Sequence, residues 1–193
     1  MDKVFIASNN PNKLYEFKEI FKLNNFDIEV VSPADYNDIE EPVEDGSSFE
    51  ENAYIKAKFY FDKYHLPTIA DDSGLCIDFY NGGPGIHSAR FLSGMSYTEK
   101  NIYIVNEMKD CNQRHAQFVD VICYIDEKGE ALYYKGTNDG EIARQLKGTK
   151  GFGYDPIFFI NEYNATEAEL GDEYKNKYSH RAKAIKKWIE YVK

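Results

Sequence analysis

The spacing of apolar residues along the chain predicts helices that alternate with short strands. Val4 to Ala7 is an apolar run typical of a buried strand, and Asn10 with Pro11 then supplies a cap and a first residue for a helix. The apolar residues that follow have helical spacing: Leu14, Phe17, Ile20 and Phe21. A second strand is predicted near Ile28 to Val31.

A second helix is predicted to begin at a serine cap and to end at about Tyr64. Ser48 with Glu51, or the equivalent pair one residue earlier, fits a capping box. One apolar stripe runs along this helix: Phe49, Ala53, Ala57, Tyr60 and Tyr64. At roughly 100° per residue, Lys56 lies about 60° from the centre of the stripe. We therefore expect Lys56 at the rim of a cleft, with Glu51 pointing away.

The second half of the chain continues the alternation. Its predicted elements are strand pieces at Thr68 to Ala70 and Leu75 to Phe79 around a turn, a loop at Gly82 to Gly85, a helix at Thr98 to Met108, strands at His115 to Tyr124 and Ala131 to Gly136, a glycine-rich loop at Gly148 to Asp155, and a last helix capped by Ser179. This order favours an α/β fold with helices around a mixed sheet. The 193 residues fit one domain, 1–193, either compact or built as two tightly joined lobes.

Charge and composition restrict the class of protein. The 23 basic and 33 acidic residues give a net charge of −10, which opposes sequence-independent binding to nucleic acid or to anionic lipid. No apolar run is long enough for a membrane span, and no signal peptide is visible, so we expect a cytoplasmic protein. Cys76, Cys111 and Cys123 are widely spaced and are expected to be reduced.

The turn before the first helix is a candidate anion site. It consists of Ser8, Asn9, Asn10, Pro11, Asn12 and Lys13. Backbone amides at a helix start attract phosphate, and Lys13 would add a full positive charge. The alternative is an ordinary capped helix with a solvated lysine.

Two adjacent aspartates are a candidate metal site. If Asp71 and Asp72 end a strand, their side chains point to opposite faces, so only one of them faces a given cleft. Asp72, which shares a face with Ala70 and Gly74, is the better candidate for a Mg²⁺ ligand. The acidic loop 35–45 could lend a second carboxylate, although both features are also typical of turns and solvated surface.

Two later segments could hold an organic ring. Phe152, Gly153, Tyr154 and Asp155 place two aromatic residues beside glycines, which suits stacking on a heteroaromatic base, but core packing explains them equally well. His180 and Arg181 lie at a helix start, with Lys175 upstream. Cations at that position oppose the helix dipole, which is a modest hint of function.

Taken together, these segments resemble the inosine triphosphate pyrophosphatase family, which hydrolyses non-standard purine nucleoside triphosphates. The resemblance runs in order through five blocks: 8–13, 49–57, 70–75, 82–90, and 151–158 with 179–181. It implies a long central mixed sheet flanked by helices, with two lobes and a cleft between them. It also implies Mg²⁺-dependent cleavage between the α and β phosphates, and commonly a homodimer.

The resemblance also implies roles for particular residues. Ser8 to Lys13 would bind the triphosphate, Lys56 would join that site, and Ser73 would touch substrate. Asp72 would be the metal ligand and proton acceptor. The remaining implied residues would hold the nucleotide, chiefly its base: Phe152, Gly153, Tyr154, Asp155, Lys175, His180 and Arg181.

The chain departs from the family pattern near the second metal ligand. The family's acidic ligand lies 12 or 13 residues before the helix lysine, which here means Glu44 or Val43. Because valine cannot bind metal, we expect Glu44, with Glu41 in reserve. Asn9 also stands where many relatives carry glycine.

Selectivity would come from position six of the purine. A donor there, from Arg181 or the backbone, would favour the keto group of inosine and xanthosine over the amino group of adenine. Three alternatives stay open: a pyrophosphatase for modified pyrimidine or methylated nucleotides, a non-catalytic nucleotide-binding module, and a phosphohydrolase that releases single phosphates.

Overall fold

The computed structural model describes residues 2–193 as helices around a mixed β-sheet, which confirms the predicted fold class. The chain divides into two compact units. Unit 1 comprises 1–72, 120–136 and 181–193, and unit 2 comprises 73–119 and 137–180. The expected cleft between two lobes stays a prediction, as does the assignment of residues 1–193 to a single domain.

In the part of the chain that the structure describes, eight strands form the sheet, in the order β2-β1-β3-β5-β6-β7-β8, with β4 pairing on β3. They are β1 Lys3–Ile6, β2 Glu29–Val31, β3 Thr68–Ile77, β4 Gly83–Pro84, β5 His115–Ile125, β6 Ala131–Ile142, β7 Phe158–Ile160 and β8 Ala165–Thr166. β1 runs parallel to β2 and to β3, whereas β7 is antiparallel to β6 and to β8.

Within residues 2–193, six α-helices accompany the sheet. They are α1 Pro11–Leu23, α2 Phe49–Tyr64, α3 Tyr97–Glu107, α4 Glu167–Leu170, α5 Asp172–Tyr178 and α6 His180–Val192. Short 3-10 turns lie at Pro33–Tyr36, Asp78–Tyr80, Gly85–His87, Asp155–Ile157 and Asn161–Tyr163. None of the helices in residues 2–193 is both long enough and apolar enough to cross a membrane.

Unit 1 has an apolar layer on each face of its strands. Alternate residues of a strand point to opposite faces. Ile69 of β3 therefore packs with Phe17 of α1 and Trp188 of α6, while Ala70, the next residue, packs with Ala53 of α2. Helices α1 and α6 thus cover one face, and α2 covers the other.

Unit 2 has its own core. Leu75 and Ile77 of β3, Ile104 of α3, and Phe118 of β5 are buried together with Phe158 of β7. The predicted helix and strands of this region exist, but β6 extends to Ile142, beyond its predicted end at Gly136.

Two expectations about local structure were wrong. The predicted loop at Gly82 to Gly85 contains the short strand β4, because Gly83 and Pro84 pair with the end of β3. Asp71 to Gly74 do not form a turn between two strand pieces, because β3 is continuous from Thr68 to Ile77. Gly74 is required by close packing: a Cβ there would lie 2.1 Å from the Gly85 carbonyl oxygen. Both aspartates are consequently inside a strand and buried.

Candidate active site

The turn that leads into α1 is built as the sequence predicts. Asn10 is the N-cap, Pro11 is the first helical residue, and the Asn10 side chain accepts hydrogen bonds from the amides of Asn12 (2.9 Å) and Lys13 (3.4 Å). These two amides, expected to be free for an anion, are therefore engaged by the cap. Asn9 donates to a carboxylate oxygen of Glu41 at 3.1 Å.

Lys13 reaches from this turn to Asp71. Its ammonium lies 2.8 Å from Asp71 Oδ2, and the Asp71 side chain is only 1% exposed. Arg181 of α6 contacts the same carboxylate oxygen at 3.0 Å and also pairs with Glu16 of α1. Asp71 thus joins the first helix to the last one.

The opposite face of β3 carries a second charged group. Asn52 of α2 donates to Asp72 Oδ2 at 3.2 Å, and Lys56, one turn later, lies 3.8 Å from Asp72 Oδ1. Lys56 also donates to Glu44 at 3.1 Å. The two aspartates therefore face opposite sides of the sheet, as predicted, and Lys56 lies between two carboxylates.

The surroundings give the two aspartates opposite pKa shifts. Burial by itself raises the pKa of Asp71, but the charges of Lys13, Arg181 and Lys56 outweigh it and hold this pKa well below its usual range. Burial also raises the pKa of Asp72, and there Lys56, Lys13 and Asn52 offset it only in part, so the net shift is upward. Asp71 is an ion-pair partner, whereas Asp72 is the more basic carboxylate.

Lys56 stays charged although it is buried. Burial lowers the pKa of its ammonium, but the negative charges of Asp71, Glu44 and Asp72 outweigh this and raise the pKa above the ordinary value. A fixed cation therefore lies beside Asp72.

Unit 2 holds the second group of predicted site residues. The Asp155 carboxylate accepts hydrogen bonds from the Phe152 amide at 2.8 Å and from Lys175 at 2.7 Å. Gly151 has φ +74°, and a Cβ there would lie 2.0 Å from Asp155 Oδ2, so the loop closes around that carboxylate. The Lys175 ammonium lies 4.4 Å from the centre of the Phe152 ring.

The two aromatic residues of this loop differ in environment. Tyr154 is a core residue: it is 4% exposed, its ring contacts Tyr97 edge-on, and its hydroxyl donates to the Ser88 carbonyl at 2.7 Å. Phe152 is half-buried and is the ring better placed to stack on a base. His180 stacks on Phe118 with ring centres 4.7 Å apart.

Comparison with known proteins identifies the family. The model of the Ham1 family matches residues 4–191. A dITP/XTP pyrophosphatase of Desulfotalea psychrophila is 44% identical over 94% of this chain and 81% of that relative. One from Halalkalibacterium halodurans is 40% identical over 98% of this chain and 100% of that protein. The chain belongs to the Ham1 family.

Solved Ham1-family structures have the same fold. The Ham1 protein of Staphylococcus aureus superposes with a TM-score of 0.87 at 37% identity, covering 99% of this chain and 98% of that one. A nucleoside-triphosphatase (dITP/XTP pyrophosphatase) of Mycobacterium abscessus gives 0.76 at 36% identity, covering 99% and 100%. The predicted fold class and family are therefore confirmed.

The donor set of this Ham1-family chain suits a divalent cation. Among residues 2–193, no group of three or more His, Cys, Asp and Glu side chains has metal-binding geometry. Glu44 and Asp72 nevertheless already share one cation, the Lys56 ammonium. Mg²⁺ takes one or two carboxylates and keeps its remaining positions for water and phosphate, so two oxygen donors fit it.

Three residues of the candidate site had not been singled out in the sequence. Asn52 orients Asp72 and accepts from the Gly46 amide at 2.9 Å, and its signal was a polar residue beside the apolar stripe of α2. Glu16 and Asp120 join Arg181 and Asp71, but they lie within segments whose pattern indicates only a helix and a strand. Arg181, expected at the base, has its guanidinium among these carboxylates; its role toward a nucleotide stays a prediction.

Proposed function

We propose that this chain hydrolyses non-standard purine nucleoside triphosphates, such as ITP, dITP and XTP, to the nucleoside monophosphate and pyrophosphate. Its relatives of about 40% identity are dITP/XTP pyrophosphatases and match over nearly the whole chain. The arrangement that carries the proposal is in unit 1: Lys13 pairs with Asp71, and Lys56 pairs with both Glu44 and Asp72. Cations and a basic carboxylate therefore occupy one strand and its two flanking helices.

The residues of unit 1 would act on the phosphates. Lys13 and the turn 8–13 would bind the triphosphate: Lys13 pairs with Asp71 on the other face of β3, but its charge also acts on Asp72. Lys56 would neutralise charge that develops during cleavage. Glu44 and Asp72 would hold Mg²⁺, which when bound supplies charge neutralisation and polarises a phosphoryl group. Binding of phosphate at the helix start requires the Asn10 side chain to release the amides that it now caps.

Asp72 would accept the proton of the attacking water. The water oxygen forms a bond to the α-phosphorus, the bond from that phosphorus to the bridging oxygen breaks, and pyrophosphate leaves with the electron pair. The upward pKa shift of Asp72 suits a proton acceptor better than the low pKa of Asp71 does. No covalent intermediate is needed.

The residues of unit 2 would hold the nucleoside. Phe152 would stack on the base. Asp155 and Lys175 would shape the loop through their buried ion pair. Ser73 would contact substrate, Gly153 and Tyr154 would contribute chiefly backbone, and His180 and Arg181 would complete base recognition. We further propose that the protein is cytoplasmic and forms a homodimer; light scattering coupled to size exclusion tests the dimer.

A nucleotide panel tests the proposal. The chain is incubated with ITP, dITP, XTP, GTP, dTTP, UTP and a methylated nucleotide, with and without Mg²⁺, and monophosphate and pyrophosphate are quantified together. We expect ITP, dITP or XTP to be preferred, equal amounts of the two products, and no turnover without a divalent ion. Preference for a pyrimidine, release of single phosphate, or binding without turnover would each replace the proposal by one of the alternatives above.

A further inference from the structure

Asp120 is a buried acid to which the proposed chemistry gives no role. It lies on β5, on the same face as Ile122 and Tyr124, and it is 0% exposed. That face is the one covered by α1 and α6 in unit 1, so Asp120 lies beneath the cluster that contains Asp71 and Arg181.

Nothing among residues 2–193 donates a hydrogen bond to either carboxyl oxygen of Asp120. The nearest cation is Arg181, whose Nη2 is 3.7 Å from Oδ1, too far for a hydrogen bond. The charged groups around it come from three elements: Lys13 and Glu16 of α1, Asp71 of β3, and Arg181 of α6. An ionised carboxylate buried in this way would lose its hydration without gaining a hydrogen bond.

The four charged side chains that surround Asp120 on this face of the sheet already balance one another. Lys13 and Arg181 supply two positive charges, and Glu16 and Asp71 supply two negative ones. An ionised Asp120 would add a third negative charge next to Asp71. Arg181 Nη2 lies 3.0 Å from Asp71 Oδ2 and 3.7 Å from Asp120 Oδ1, so the two carboxyl groups are neighbours, an arrangement that is favourable when one keeps a proton and donates it to the other. Burial and the Asp71 charge accordingly raise the pKa of Asp120 well above its usual value, although Arg181 and Lys13 act in the opposite direction.

We propose that Asp120 is a positioning residue that keeps its proton at neutral pH and donates it to Asp71, holding the Asp71 carboxylate against Lys13 at the start of α1. Its protonation follows from burial and charge balance alone. Its effect on turnover rests on the proposed function, because it acts through the lysine that would bind the triphosphate.

The protonated state is tested by infrared spectroscopy of the full chain without nucleotide or metal. In deuterated buffer at pH 7.5, the wild type is expected to show the carbonyl stretch of a protonated carboxyl, and the difference spectrum against Asp120→Asn isolates that of residue 120. Absence of this band from the difference spectrum overturns the proposal. This reading needs no activity, so it remains decisive even if the nucleotide panel fails.

The donated hydrogen bond is tested with two variants. Asp120→Asn cannot ionise but keeps a donor toward Asp71, whereas Asp120→Val has similar size and no donor. We expect Asp120→Val to raise KM for ITP by about tenfold, the usual cost of removing one partner of a buried hydrogen bond, and Asp120→Asn to restore most of that loss. Equal impairment of the two variants overturns the positioning role. If Asp120→Val does not fold, the positioning role is tested by the KM of Asp120→Asn, which should stay near that of wild type, and by the pH dependence of Tm described next.

The pH dependence of stability gives an independent reading. Because the folded-state pKa of Asp120 is raised, its contribution to stability is fully present below the ordinary carboxyl pKa and is lost as pH rises toward the folded value. Asp120→Asn has no proton to lose. The Tm of this variant should therefore rise relative to wild type between about pH 5 and pH 9. A constant Tm difference over that range contradicts the proposal.

Discussion

Asp71 and Asp72 are neighbours on one strand, yet they face opposite sides of the sheet and have different partners and opposite pKa shifts. Asp71 meets Lys13 and Arg181, two cations from two helices, and its pKa is lowered. Asp72 meets Lys56 and the neutral amide of Asn52, and its pKa is raised. The same side chain thus becomes a structural anion on one face and a candidate base on the other, because the number of nearby cations decides its state.

The largest expected effect is on activity and comes from the Asp72 face. Asp72→Asn removes the proposed proton acceptor and metal ligand, so kcat for ITP should fall by about a thousandfold. The measurement is steady-state release of pyrophosphate. Asp62→Asn is the matched control: this exposed α2 residue pairs only locally with Lys58 and should keep full activity. If the Asp72→Asn protein is fully active, the difference between Asp71 and Asp72 has no role in catalysis.

The next effect is on stability and comes from the Asp71 face. Asp71→Asn leaves Lys13 and Arg181 without their shared carboxylate, and breaking a buried ion pair costs about 3 to 5 kcal/mol. Urea denaturation should show that loss in the free energy of unfolding. Asp72→Asn is the matched substitution one residue away and should cost less. Equal losses would show that the two faces do not differ in the way described.

A smaller effect separates the two candidate glutamates. Glu44 shares Lys56 with Asp72, whereas Glu41 contacts Asn9 of the first turn. Glu44→Gln should therefore raise the Mg²⁺ concentration needed for half-maximal activity by at least about tenfold. Glu41→Gln, a change of the same chemistry in the same loop, should shift it much less. The reverse order would assign the metal to Glu41.

The smallest effect concerns how the acidic loop is held. Lys63 of α2, whose side chain is 36% exposed, pairs with the exposed Glu40 at 2.6 Å and with Asp38, which is 6% exposed, at 2.8 Å. Lys63→Gln should loosen the loop that carries Glu44 and raise the Mg²⁺ requirement by about twofold, since ion pairs of a partly exposed lysine contribute little. A Mg²⁺ titration of this variant beside Glu44→Gln measures the difference. A shift as large as that of Glu44→Gln would mean that Lys63 has a direct role.

The parts of the fold that local chemistry specifies could be predicted. The cap and first residue of α1, the serine cap of α2 and the apolar stripes of both are confirmed. The continuity of β3 could not be predicted, because Asp, Ser and Gly disfavour strands and only distant partners compensate for them. Arg181 is 110 residues from Asp71, and Gly74 is required by the backbone at Gly85.

The candidate site shows the same division between local and distant information. Strand alternation placed Asp71 and Asp72 on opposite faces, which the structure confirms, whereas only the family resemblance placed Lys56 in the same site as Asp72, from which it lies 3.8 Å away. The pattern of the sequence did not predict which carboxylate pairs with which lysine or arginine. Glu16, Asn52 and Asp120 act through contacts between separate elements, and none of these contacts has a local sequence signature.

Trp188 supplies the molecule with its own optical probe. It is the only tryptophan of the chain, it is fully buried, and its neighbours Phe21, Phe26 and Tyr124 all belong to unit 1. Its fluorescence therefore reports on the unfolding of unit 1, whereas circular dichroism measures the secondary structure of both units. Melting curves recorded with the two signals on the unlabelled wild type reveal whether the halves of the protein lose their structure together or in succession.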